Sequence, residues 1–86
     1  MQRKYVSYVA CIIGNVIFSI DFFESLDDAY RELDRQASDE LDLLLKEGIP
    51  IDDITITNDS DQITITTSKP TPREVRFEAG FGPITV

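Results

Sequence analysis

The chain contains no histidine and a single cysteine in its 86 residues. Without imidazole it lacks the commonest general base and the commonest metal ligand, which excludes Ser-His-Asp catalysis and histidine-based zinc sites. Cys11 has no second cysteine to pair with, and a secreted chain this small usually carries several disulfides, so a cytoplasmic protein is expected. A membrane span is missing as well. The apolar run from Tyr5 to Ile20 is interrupted by Ser7, Gly14, Asn15 and Ser19 and closed by Asp21, whereas a spanning helix needs roughly 20 consecutive apolar residues. Tyr8-Val9-Ala10-Cys11 is similar to a lipoprotein cleavage site, but the apolar stretch before it is too short.

The middle of the chain also lacks positive charge. Fourteen of the sixteen acidic residues lie between Asp21 and Asp61 against only Arg31, Arg35 and Lys46, a net of −11. The ends together carry +3, from Arg3, Lys4, Lys69, Arg73 and Arg76 against Glu74 and Glu78, and the whole chain carries −8. A field this lopsided repels nucleic acid and anionic membrane and attracts a basic protein.

What is present reads as one small globular unit. Apolar residues make up 42 % and charged residues 28 %, a composition of folded rather than disordered chains. The expected domain spans residues 1–80, with the Gly/Pro-interrupted residues 81–86 as a tail. Tyr5 to Ile13 and Val16 to Phe22 are rich in β-branched and aromatic residues around Gly14-Asn15, a two-residue hairpin signal. Pairing Ile13 with Val16 puts Cys11 opposite Phe18, Val9 opposite Ile20 and Ser7 opposite Phe22 on a nearly apolar face. Ile12/Ile17, Ala10/Ser19 and Tyr8/Asp21 then form a mixed face.

Ser25 followed by Asp28 is a capping signal, and Leu26, Tyr30, Leu33, Ala37, Leu41 and Leu44 recur at helical spacing. One helix of about 22 residues fits that stripe, ending at Lys46, Gly48 and Pro50. Ile54 to Thr57 and Gln62 to Thr66 alternate at period two around Asn58-Asp-Ser-Asp61. Their expected register sets Thr57 against Gln62, Ile56 against Ile63 and Ile54 against Ile65. Arg73 to Ala79 alternates again and, with Pro70 and Pro72 ahead of it, is expected at a sheet edge. The order is β-β-α-β-β-β, an α+β fold with one long helix on one face of an antiparallel sheet.

Candidate chemical sites are few. Cys11 falls mid-strand on the inferred core face, where a thiol is inert. Asp52-Asp53 and Asp59-x-Asp61 match no calcium loop, lacking its glycine and terminal glutamate. Neither catalysis nor a cofactor or metal is expected. On the helix, Asp28/Arg31, Arg35/Asp39 and Asp42/Lys46 are spaced to pair. The residues expected to contact a partner are Asp27, Asp34, Asp39, Glu40, Asp42 and Glu47, with Leu43, off the apolar stripe, as an anchor. The expected activity is inhibition of a basic nucleic-acid-binding protein (a nuclease, toxin or defence effector) by masking its nucleic-acid surface. The alternative is a homodimer or other homo-oligomeric adaptor that uses a sheet edge, its acidity serving only solubility.

From about residue 8 to residue 51 the chain resembles the HicB-type antitoxin domain. The resemblance rests on Glu24-Ser-Leu-Asp-Asp-Ala-Tyr30, a long Leu-rich acidic helix, and Lys46-Glu-Gly-Ile-Pro50, following a β-hairpin. It implies a non-catalytic protein that neutralises a basic, RNA-cleaving toxin by covering it. The chain departs from that family where Ile20-Asp-Phe-Phe-Glu24 runs almost directly into the helix without a further strand. It departs again where residues 51–86 read as strands in place of a DNA-binding segment, so operator binding is not implied. In size and charge alone the chain is similar to small acidic phage-encoded anti-defence proteins, including anti-CRISPR proteins and DNA mimics, which occupy a basic groove in place of phosphates.

Overall fold

The computed structural model describes residues 3–68 and 72–85. Its elements are β1 (Arg3–Ile13), β2 (Val16–Phe23), α1 (Leu26–Lys46), a single 3-10 turn (Ile51–Asp53), β3 (Ile54–Asp59), β4 (Gln62–Thr67) and β5 (Arg73–Thr85). All strand pairs are antiparallel, in the order β2-β1-β5-β4-β3. This is the expected β-β-α-β-β-β, α+β architecture, with α1 packed on one face of the five-stranded sheet.

Local chemistry sets the ends of α1. The Ser25 hydroxyl accepts a hydrogen bond from the Asp28 amide at 3.2 Å, satisfying one of the first-turn donors. At the other end Gly48 adopts φ 88, the left-handed conformation that costs a glycine nothing. The Gly48 and Ile49 amides then donate back to the Leu45 and Leu44 carbonyls, the paired bonds of a Schellman motif. Ala29, Leu33, Ala37 and Leu44 face the sheet and meet Val9, Cys11, Ile63, Ile65, Val75 and Phe77. Val9 and Ile65 are almost completely enclosed, and burying a side chain of that size stabilises by about 1.5–3 kcal/mol.

The hairpin β1–β2 differs from its expected register. Ile13 pairs with Val16 and Ile12 with Ile17, but Cys11 then pairs with Ser19, leaving Phe18 as the extra residue of a β-bulge. Beyond the bulge every partner has slipped by one. Ala10 opposes Ile20, Val9 opposes Asp21, Tyr8 opposes Phe22 and Ser7 opposes Phe23. Side chains alternate with period two, so this slip of one turns Ile20 and Phe22 away from the helix and brings Ser19 and Asp21 toward it.

The β3–β4 register also differs, by two residues, and here nothing changes sides. Asp59 pairs with Gln62 around Ser60-Asp61, so Ile56 faces Ile65 and Thr57 faces Thr64. A shift of two preserves facing, and the Ile residues stay toward the helix.

β5 lies at the centre of the sheet, not at its edge. Pro72 stops short of the strand, and β4 pairs only with Arg73–Glu78, so no prolyl nitrogen falls in the doubly flanked part of the ladder. Residues 81–85, expected as a tail, continue β5 and pair with β1 as far as Arg3↔Thr85. Pro83 sits opposite Tyr5, in the stretch that β1 alone flanks. No helix among the described residues is long and apolar enough to cross a membrane.

Candidate protein-binding surface

The 21 residues of α1 and its C-cap Glu47 carry the acids nominated by the sequence, and packing sorts them into three groups. Glu40 turns inward. Its side chain is only 13 % exposed, and its carboxylate lies 3.5 Å from the Arg73 guanidinium of β5. That separation makes an ion pair but not an aligned hydrogen bond, so Glu40 Oε1 has no hydrogen-bond partner among the described residues. Glu40 therefore joins helix to sheet and does not belong to an outer contact surface.

Asp39 is exposed but shares a guanidinium with a second acid. Arg35 donates to its carboxylate at 2.8 Å and also binds Glu32 on the preceding turn. Gln36 donates to Glu32 at 2.9 Å and to Asp21 of β2 at 3.3 Å, linking this flank of the helix to the edge strand. Those bonds hold the Glu32 carboxyl at about 2, well below its ordinary 4.5, chiefly through the Arg35 guanidinium and secondarily through Gln36.

Asp27, Asp34, Asp42 and Glu47 form the third group. All four are exposed, and none makes an ion pair among the described residues. The Asp42/Lys46 pair expected from spacing is not formed, while Arg31 is taken by Asp28 at 3.6 Å. Asp34, with Ser38 and Leu41, borders a groove of about 250 Å³ against Ile56 and Asn58 of β3. Helical periodicity puts Asp27 on that same flank and Asp42 toward the outermost side. Glu47 caps the C-terminus of α1.

Leu43 lies on the opposite flank. It is exposed and faces Phe18 across a groove of about 400 Å³ floored by Cys11, Ile13, Val75 and Phe77 and bordered by Gln36, Asp39, Glu40 and Arg73. The seven nominated residues thus do not make one patch. They divide between the β3 flank, the β2 flank and the interior.

The groove beside β2 depends on the bulge at Phe18, which regular pairing from the Gly14-Asn15 turn does not produce. Signals for it are Val16-Ile17-Phe18 and Phe22-Phe23, successive apolar residues that break period-two alternation in this strand.

Cys11 forms part of the floor of this groove but is buried. Burial raises its pKa above the ordinary thiol value, the Glu40 carboxylate adds to that shift, and Arg73 opposes it. The neutral thiol is therefore favoured, which is the unreactive form. Among the described residues no three His, Cys, Asp or Glu side chains converge as a metal-binding set. No protein-family model, curated protein or solved structure matches the chain.

Proposed function

We propose that this protein is a non-catalytic inhibitor that docks the outer and β3-facing side of α1 against a basic nucleic-acid-acting protein, in the manner of an antitoxin or phage anti-defence protein. The observation that carries the reading is the set Asp27, Asp34, Asp42 and the C-cap Glu47, exposed along one helix and without an ion pair among the described residues, while Arg31 and Arg35 are taken by other acids. At 1.5 Å of rise per residue, Asp27, Asp34 and Asp42 follow one another about 10 and 12 Å apart along the axis. That spacing is close to the Debye length of about 8–10 Å at physiological salt, so a basic groove meets them as one continuous negative field. Steering of this kind raises association rates and falls off with ionic strength. Asp39 and Glu40 contribute little to such a contact, being already paired.

The test compares wild type with the triple variant Asp27→Lys, Asp34→Lys, Asp42→Lys as bait in native host extract, at low and high salt. Capture of a nucleic-acid-binding protein that weakens at least tenfold in the triple variant and declines with salt, with an unchanged circular dichroism spectrum, is the expected result. Capture indifferent to both manipulations rejects the electrostatic mechanism.

A further inference from the structure

Among the described residues no helix packs on the face of the sheet away from α1, and half of that face is not built like a solvated surface. Ile17, Ile20 and Phe22 of β2 pair there with Ile12, Ala10 and Tyr8 of β1. The three β2 side chains are 62 %, 45 % and 56 % exposed. Ala10 and Ile12 are buried yet stand outside the cluster beneath the helix, which places them on this second face. Where they pair, Ser7–Ile13 of β1 and Val16–Phe23 of β2 present no charge here, because Asp21, the single charged residue of these stretches, pairs with Val9 on the helix side and accepts from Gln36. Toward β5 and β4 the same face turns polar, with Arg76 and Glu78 3.2 Å apart and Thr64 opposite Arg76. An apolar centre with a polar rim is the usual anatomy of a protein interface.

The bulge makes this arrangement telling. An unbulged hairpin would have turned Ile20 and Phe22 toward the helix and left Ser19 and Asp21 on the open face. The observed register does the reverse: it brings Phe23 to the helix side but turns both Ile20 and Phe22 out, a net loss of apolar burial within one chain unless another apolar surface restores it.

We propose that this face is the two-fold interface of a homodimer, in which a second copy of the chain packs its own Ile17, Ile20 and Phe22 against these residues, sheet on sheet. Charge selects the occupant. A chain of net charge −8 resists meeting its own copy through acidic α1. Pairing at the β2 edge would set both helices on the same side of one continuous sheet. Face-to-face stacking instead leaves each α1 on the outside, with two sheets in between at roughly 10 Å per layer, several screening lengths apart. The uncharged patch offers nothing to the basic partner proposed for α1, whereas it is complementary to itself, as an isologous contact requires. The apolar centre supplies on the order of a few hundred Å². The threonine and Arg76/Glu78 rim extends it toward the roughly 800 Å² per partner of a standard interface.

Sedimentation equilibrium from micromolar to submillimolar concentration, at low and molar salt, tests this directly. The expected mass is twice 9.7 kDa, undiminished by salt. Ile17→Asp and Phe22→Asp should each weaken the dimer at least tenfold, and Phe18→Asp, on the helix side, should leave it intact. Because the altered side chains are exposed, circular dichroism should report a folded chain throughout. Should the aspartates unfold it, Ile17→Thr with Phe22→Thr, which keep strand propensity, replace them with the same two readings. A monomer at every concentration overturns the proposal. So does a dimer that salt dissociates, one indifferent to the changes at residues 17 and 22, or one broken by Phe18→Asp alone. The Asp27, Asp34 and Asp42 reversals should not alter the mass, so failure of this interface and failure of the inhibitor reading are separable.

Discussion

Glu40 of α1 and Arg73 of β5 lie 3.5 Å apart and form the ion pair that ties helix to sheet among the described residues. The glutamate is largely enclosed while the arginine stays 44 % exposed. Such a pair ranks between exposed pairs, worth about 0–1 kcal/mol, and fully buried ones, whose disruption costs about 3–5 kcal/mol.

Glu40→Ala should therefore destabilise the fold by about 1–2 kcal/mol, since water can still reach Arg73. In a domain of this size that lowers the melting temperature by roughly 4–15 °C, measurable by circular dichroism. Partner capture by the variant should persist below its melting range. A loss of capture without a loss of stability would return Glu40 to the contact surface.

Acid should weaken the fold in part through Glu32. Its folded-state pKa, about 2, lies below the ordinary 4.5. A depressed carboxyl contributes stability that is complete above the unfolded value and is lost as pH falls from 4.5 through about 2. Glu32→Gln should accordingly melt lower than wild type at neutral pH, and the gap should close between pH 4.5 and 2. A gap that stays constant across that window would assign Glu32 no part in acid denaturation.

Deleting Phe18 should be tolerated. Ile17 already pairs with Ile12 and Ser19 with Cys11, so removing the bulged residue leaves two consecutive pairs and no slip elsewhere. The loss should stay within about 1 kcal/mol, since the Phe18 side chain is exposed. Amide NMR spectra should retain the β1–β2 cross-strand contacts. Global rearrangement of those contacts would mean that the bulge sets the register instead of following from it.

Cys11 should resist alkylation in the native state and react quickly once urea unfolds the chain. It is buried, and burial raises its pKa, so little thiolate is present at neutral pH. Rapid native-state labelling would show that the groove between α1 and β2 opens to the thiol.

The sequence by itself determined whatever depends on neighbours along the chain. The span of α1 follows from Ser25, Gly48 and a 3–4 apolar spacing, and the strands follow from alternation and turn residues. The overall β-β-α-β-β-β order needs nothing more. The excess of acid in the middle is a matter of composition and was equally legible. Which acids remain free was not. Glu40 lost its place because Arg73, 33 positions away in sequence, reaches it only after folding. Asp39 is tied to Arg35, which it shares with Glu32, and the Arg35/Asp39 pair is one that spacing did announce.

Tertiary structure alone decided register and strand order. Hairpin signals leave a slip of one residue nearly free until a helix packs on one side, yet that slip exchanges every side chain between faces. It moved Ile20 and Phe22 out and Asp21 in. Strand order depends on which partners satisfy each backbone after collapse, and that brought β5 to the centre despite the prolines before it. Period-two alternation says that a strand has two faces; only packing between distant segments says which of them meets the helix.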